Sequence, residues 1–296
     1  SSDLKTVFSN PHEGSETLKI HCEHYGIADL VLDKKIILVG GGDMDSAWPC
    51  LQYDSFLPKI MDYNENIKAL ADYEQNYTRQ RPYKFLLLNG RSRPHRTRLL
   101  DQLADILDQG IWTNLDSSAG PLHFLDAKYE YDHVVVRDRL PQSGFVKHHL
   151  FNNKWGDVYI KANLYLDTYF SVVTETVFDY PYSFRTEKIW KPIAIGHPWI
   201  AVANQGFYRD LRNLGFQTFG HVIDESFDHI ENNQDRLDRV AQVVRDLCQQ
   251  DLANLLDQCY NVCKYNQQHL VQMRATVRKE FPDRFRQFIN QYYSHE

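Results

Sequence analysis

The sequence predicts an α/β fold in which parallel strands are covered by helices, divided between two units and closed by a long helical segment. Three observations carry this. A length of 296 residues suits two compact α/β units better than one, at roughly 100–200 residues per domain. Between residues 83 and 223 short apolar runs alternate with amphipathic helical stretches, as strand–helix–strand crossovers do. From Asn232 to about Tyr293 the pattern is helical, with Leu237, Val240, Val243, Val244 and Leu247 as an apolar stripe too narrow to make a core of its own. The expected organisation is an N-terminal α/β domain over 1–80, a second α/β domain over 81–231, and helices over 232–296 that pack across both.

The first strong strand is Lys35 to Gly42, an apolar β-branched run that ends in glycines as a buried parallel strand does before a tight turn. Ser15 to Tyr25 reads as an earlier helix, and Leu57 to Tyr77 as a helix with Leu57, Ile60, Met61, Ile67, Leu70 and Tyr73 on its apolar positions. Thr78 to Pro82 is a connection. Tyr83–Asn89 is then a strand, Gly90 to Arg93 a turn and Pro94 to Leu107 a helix, with proline suited to its first turn. Ile111 to Asn114 is the next strand, while 116–167 shows no dominant period. The alternation resumes with strand Tyr169–Thr174, helix Glu187–Ile195, strand Trp199–Val202, helix Phe207–Leu214 and strand Thr218–Ile223. Phe281-Pro282 is expected to break the last helical stretch.

Composition narrows the function classes. Hydrophobic residues at 43% and charged residues at 24% are ordinary for a globular chain and argue against disorder or a disulfide scaffold. The net charge of −6 disfavours a wholesale electrostatic grip on nucleic acid or anionic lipid, leaving only a local basic patch for that purpose. No apolar run approaches the ~20 residues a membrane span requires, and no basic-then-apolar leader opens the chain, so a cytoplasmic protein is expected. The five cysteines, at 22, 50, 248, 259 and 263, form no C-x-x-C pair and read as reduced thiols. Cys259 and Cys263 share a helical spacing that fits buried side chains better than a metal site, and His21, Cys22 and His24 match no zinc spacing.

Two segments concentrate chemistry. Asn89-Gly-Arg-Ser-Arg-Pro-His-Arg-Thr-Arg98 follows a strand and opens a helix, so free helix N–H groups and four arginines meet at the carboxyl edge of a sheet. That is a receptor for phosphate oxygens, of a nucleotide or of a nucleic-acid backbone, though it is neither a Walker loop nor G-x-G-x-x-G. The second segment runs from Tyr169 to Thr176 and from Arg185 to Pro198. Glu175 stands at a strand end, and Thr186 can cap a helix whose first turn holds Glu187 and Lys188. A carboxylate there can accept both hydroxyls of a ribose, and a lysine can neutralise a diphosphate. Trp48, Trp190 and Tyr182 are candidates for stacking on a base or sugar in a chain whose aromatics otherwise serve the core.

The segment F-S-V-V-T-E-T-x9-T-E-K-I-W-K-P-I-A-I-G-H-P resembles the donor-binding signature of glycosyltransferases with two facing Rossmann-like domains, especially the α1,3-fucosyltransferase group. That group has F-x-x-S-x-E-N-S, a gap, then T-E-K; Thr176 and Val177 stand where it has Asn and Ser. With L-N-G-R-S-R-P-H-R upstream and I-D-E-S-F-D downstream, residues of about 85 to 230 also look like a broader set of glycosyltransferase-like chains, often virus-encoded. The resemblance implies a GT-B-like pair of domains and transfer of a sugar from a nucleoside-diphosphate sugar to an acceptor hydroxyl on a glycan, a protein or a modified nucleic acid. It implies that Glu187 binds the ribose, that Lys188 with Arg91, Arg93 and Arg96 holds the diphosphate, and that Glu175 lies near the sugar. Cations and helix N-termini would stabilise the leaving group without a bound metal or other cofactor.

Asp43 and Asp45, in Gly-Gly-Gly-Asp-Met-Asp45, are candidates for the base that takes the acceptor proton. A D-x-D after a strand is equally what a metal-dependent, single-domain glycosyltransferase uses to hold a divalent cation. From other classes come a nucleic-acid-binding module built on Arg91 to Arg98, a glycosyltransferase acting on DNA bases, and a non-catalytic nucleotide binder.

Overall fold

The structure, a computed structural model, describes residues 6–44, 47–90, 93–114, 123–125 and 158–293. The fold is mixed α/β, with two sheets and a long C-terminal helix. The smaller sheet holds β1 (Thr6–Gly14), β2 (Ile36–Gly41) and β3 (Cys50–Gln52), all parallel, with β2 in the middle. Helices α1 (Ser15–His24) and α2 (Ala28–Leu32) cover one face, where Leu18, Cys22, Val31 and Leu38 form a small core. Neither β1 nor β3 was evident in the sequence pattern. β1 carries Pro11, His12 and Glu13 in its second half and pairs only with β2, while β3 has three residues.

The larger sheet has the order β6-β5-β4-β7-β8. Its strands are β4 (Tyr83–Asn89), β5 (Gly110–Asn114), β6 (His123–Leu125), β7 (Thr168–Thr174) and β8 (Trp199–Val202). All pair in parallel except β6, which runs antiparallel along β5. Every residue of β7 and β8 is buried, which explains why β8 is wholly apolar and why β7 departs from that only at Thr168, Ser171 and Thr174, each hydrogen-bonded. Helices α3 (Phe56–Asp62), α4 (Asn64–Gln75), α5 (Pro94–Gln102), α6 (Ala162–Leu166), α7 (Glu187–Ile195) and α8 (Phe207–Asn213) connect or cover these strands. The helix read over 57–77 is two helices, because Tyr63 leaves helical geometry at ψ 112°. Leu57, Ile60, Ala69 and Tyr73 from these helices join the core of the larger sheet, although they precede residue 80.

The stretch Thr218 to Ile223, expected as a strand, is a turn. Its backbone donors go elsewhere than to a neighbouring strand: Phe219 N to Glu225 Oε1 (2.7 Å) and the N–H groups of Val222 and Ile223 to Phe219 O, while Gln217 N just before it goes to Asn266 Oδ1 (2.9 Å). Phe219 and Ile223 are buried all the same, so the apolar residues here report burial and not sheet pairing.

The C-terminal segment forms α9 (Asn233–Cys248) and α10 (Leu252–Tyr293). Asn232 caps α9, its side chain accepting from the N–H groups of Gln234 and Asp235. The break falls at 249–251, and α10 continues through Pro282, contrary to the break expected there. The helix is held on both sides of the proline. Phe281 packs on the Tyr53 ring at 4.5 Å, Arg284 Nη2 donates to Gln52 O at 3.3 Å, and Arg274 and Arg278 both pair with Asp62. Towards its start, Leu255, Leu256, Cys259 and Cys263 lie in the large core. Cys259 and Cys263 are therefore packing groups, their thiols pushed up by burial, and all five cysteines are unpaired. Among the described residues no helix is long and apolar enough to cross a membrane.

Buried polar groups tie strands to helices. Gly196 (φ 77°) ends α7 in the left-handed region; a Cβ there would also meet Gln267 at 2.7 Å. Next to it the fully buried His197 donates from Nε2 to Thr168 O (2.7 Å) and accepts at Nδ1 from Ser171 Oγ (2.9 Å). Burial, with Arg81 nearby, pushes its imidazole down to about 3. The unfolded chain protonates this histidine at about 6.5, the folded chain only near 3, so the stability it confers at neutral pH is lost as pH falls through that window. Urea unfolding at pH 7 and pH 5 should differ by about 2 kcal/mol through His197, and His197→Asn should remove that part of the pH dependence while lowering stability overall.

Candidate functional site

The chain passes from β4 through α5 to β5 on one side, and later places β7 on the other side of β4. Strand order thus reverses between β4 and β7, and in an open parallel sheet the crevice outside the carboxyl ends at such a point is where ligands bind. Six of the residues singled out from sequence follow its strands or open its helices. Glu175 directly follows β7, Thr186 is the N-cap of α7, Glu187 and Lys188 open that helix, and Arg93 and Arg96 begin α5.

Glu175 is completely buried. Its Oε1 accepts from Thr186 N (3.1 Å), and its Oε2 accepts from Thr186 Oγ1 (2.6 Å) and Thr176 N (3.2 Å). Thr186 Oγ1 accepts in turn from Lys188 N at 3.3 Å, which makes the N-cap. Burial raises the Glu175 carboxyl above the usual carboxylate range, against the pull of the Lys188 ammonium and the Thr186 hydroxyl. For Glu187 burial acts upward too, but Lys188 and Lys191 outweigh it and hold the carboxyl low. Two carboxyls near one helix start are thereby pushed in opposite directions, Glu175 up by burial and Glu187 down by its two lysines. Lys188 Nζ donates to Glu187 Oε1 (2.5 Å), Thr186 Oγ1 (3.3 Å) and Thr176 Oγ1 (3.4 Å).

On the α5 side, Arg96 turns inward instead of standing open to a diphosphate. Arg96 is buried, and its Nη2 donates to the carbonyls of Thr174 (2.9 Å) and Glu175 (3.0 Å). Burial and Arg93 bring its guanidinium down to about 10, so it stays cationic at neutral pH. It braces the end of β7 from below instead of standing in the open. His95, whose role the sequence did not reveal, donates from Nε2 to Glu175 O (3.1 Å) and stacks on Phe178 at 5.1 Å. Burial, then Arg96, pushes it down to about 4, so this ring is neutral. Arg93, Thr97 and Arg98 face a groove on the outer side of α5 with Asp101 and Gln102. Arg91 and Asp45 lie outside the described residues. Trp190 is core, fully buried against Phe216, and so is removed from the stacking candidates.

Asp43 has a role the sequence did not suggest. Its carboxylate accepts from Arg185 Nη1 (2.9 Å) and Nη2 (3.1 Å), and Arg185 also donates to Asp54 Oδ2 from Nε and Nη2, each at 3.2 Å. Arg185 is buried; burial opposes its charge, but Asp54 and Asp43 overcompensate and raise its pKa. Beside this clasp Asp43 N donates to Ser183 O at 2.7 Å, and Gly42 (φ 71°) comes so close that a Cβ would lie 2.4 Å from the same oxygen. Phe184 packs on Phe56 at 6.4 Å. Residues 183–185 thus dock on the loops that follow β2 and β3, one residue before the Thr186–Glu175 pair. The signal for Arg185 was its place directly before T-E-K; its partners, 142 and 131 residues away, had none.

No family model, curated protein or solved structure matches the chain.

Arg185→Met should leave two carboxylates facing each other without a counter-charge. It is expected to cost on the order of 3 kcal/mol of folding stability, measured by urea denaturation, with partial recovery when Asp54→Asn is added. Equal stability of Arg185→Met and wild type would refute the clasp.

Proposed function

We propose that the protein is a glycosyltransferase that moves a sugar from a nucleoside-diphosphate sugar to an acceptor hydroxyl, with the donor in the β4/β7 crevice and the smaller sheet on the acceptor side. One observation carries the reading: Glu175, Thr186, Glu187, Lys188 and Arg96, chosen from sequence, converge on the carboxyl ends of β4 and β7. In this reading the sheets are the two halves of a GT-B-like arrangement, and residues 183–186 connect them.

The chemistry follows from the charges. The acceptor hydroxyl gives its proton to a carboxylate base, Asp43 or Asp45 in this reading, as its oxygen bonds to the anomeric carbon; the bond from that carbon to the phosphate oxygen breaks, and its electron pair leaves on the diphosphate. In this reading Lys188, at the positive end of the α7 dipole, meets this growing charge. Glu187, held ionised, accepts from ribose hydroxyls. Arg96 acts one step removed, by fixing the Thr174–Glu175 backbone. Asp43 is engaged by Arg185, which supports the metal-independent form over a D-x-D metal site. The groove beside Arg93 and Arg98 favours one second reading, a phosphate-backbone contact with nucleic acid.

A thermal-shift screen against nucleotides and nucleotide sugars tests the class, because a ligand at 100 times its Kd should add roughly 2.7 kcal/mol. Salt-dependent binding of DNA or RNA without any nucleotide-sugar response would favour the second reading. Two variants test the site. Glu187→Ala should weaken nucleoside mono- and diphosphates alike, by roughly 1.5–3 kcal/mol, since both carry the ribose. Lys188→Gln should penalise the diphosphate far more than the monophosphate and slow transfer. Calorimetry separates these fingerprints, and unchanged affinities in both folded variants would place the donor elsewhere. Turnover should persist in excess EDTA; loss restored by manganese or magnesium would overturn the metal-independent form.

A further inference from the structure

β4 and β5 end in register on Asn89 and Asn114. Register partners on neighbouring strands send their side chains to the same face, with strands ~4.8 Å apart. Asn89 is 0% exposed and Asn114 8%. Asn89 Oδ1 accepts from Thr174 Oγ1 at 2.5 Å, but its Nδ2 has no hydrogen-bond partner among the described residues. The same holds for Asn114 Oδ1 and for Trp112 Nε1, two residues earlier on β5. Buried amide and indole groups are nearly always matched, because water no longer serves them. Here an unmatched donor and an unmatched acceptor stand side by side at a sheet's carboxyl edge. Next to Asn89, a Cβ on Gly90 would meet nothing within 4 Å among the described residues. Thr174, which joins Asn89 to β7, directly precedes Glu175.

We infer that Asn89 and Asn114 form a recognition notch for the neutral part of the ligand, a group that accepts a hydrogen bond from Asn89 Nδ2 and donates one to Asn114 Oδ1. Among the described residues the side chains that share this face, those of Asn89, Asn114, Trp112 and Thr174, carry no charge, and the nearby Arg96 is spent on the carbonyls of Thr174 and Glu175, so the notch suits a neutral group and not phosphate. The complementary chemistry is the C=O/N–H edge of a nucleobase or the hydroxyls of a sugar. The inference rests on the donor reading of the crevice, and it adds selectivity to a site otherwise built of charges. Asn89 serves both sides, since one end of its amide steadies Thr174 while the other faces the notch.

Asn114→Leu, with Asn114→Ala as the smaller alternative should leucine not fold, tests this by calorimetry. The probes are uridine and guanosine monophosphates, the corresponding diphosphates and diphosphate sugars, and inorganic pyrophosphate. The expected result is about tenfold weaker binding of nucleotide probes with pyrophosphate unchanged, and a thermal midpoint equal to or above that of wild type because an unmatched buried acceptor is gone. A loss seen already with a monophosphate assigns the notch to the nucleoside; a loss seen only when the diphosphate carries its sugar assigns it to the sugar. Unchanged affinities for every probe that wild type binds would overturn the notch while leaving the donor reading standing, and so would an equal loss for pyrophosphate. Wild-type protein that binds no nucleotide at all would overturn the donor reading and the notch together.

Discussion

Glu175 is a carboxylate with no access to water, and the surrounding architecture answers that constraint. A buried charge persists only where its oxygens meet donors and a counter-charge is near. Here the donors come from the start of α7, through Thr186 N and Oγ1, and the nearest cation is Lys188 on the same helix. The carbonyl of Glu175 is bonded separately by Arg96 and His95 of α5. One residue therefore joins the end of β7 to the first turns of two helices, on both sides of the point where strand order reverses. Helix N-termini that would otherwise leave N–H groups unmet are brought to the same crevice.

The smaller sheet is coupled to that crevice by a short strap. Ser183 O, Phe184 and Arg185 dock on Asp43, Phe56 and Asp54, and the next residue is Thr186. A shift of the smaller sheet relative to α7 must break or stretch the Arg185 pairs before it reaches Glu175. The buried guanidinium thus gives specificity of position more than net stability, because the cost of desolvating three charges offsets much of their attraction. α10 provides a second link, with its first turns in the large core and Phe281 and Arg284 against Tyr53 and Gln52.

Much of the larger sheet and α7 was legible in the sequence. β7 and β8 are buried on both faces, so they read as largely apolar runs, and the boundaries of α7 follow from Thr186 as a cap and Gly196 as the left-handed stop. Glu175, Thr186, Glu187 and Lys188 were found together because the hydrogen bonds that assemble them span at most 12 residues. Elsewhere pattern and structure parted. β1 mixes polar residues and proline, and residues 218–223 carry a short apolar run while the donors of Phe219, Val222 and Ile223 go to Glu225 and Phe219.

The sequence by itself determined where apolar faces and helix caps fall, since these depend on residues within a turn or two of one another. It also determined that a carboxylate and an ammonium share the first turn of α7. Only the tertiary structure decided which charges are spent and which are exposed. Arg96 turns inward to two carbonyls, Asp43 is claimed by Arg185 across 142 residues, and α10 crosses Pro282 because contacts on both sides hold it. The physical reason is the range of the forces involved. Propensity and capping are local, whereas the partner of a buried charge is whichever group the folded chain brings within about 3 Å, and distance along the sequence carries no trace of it.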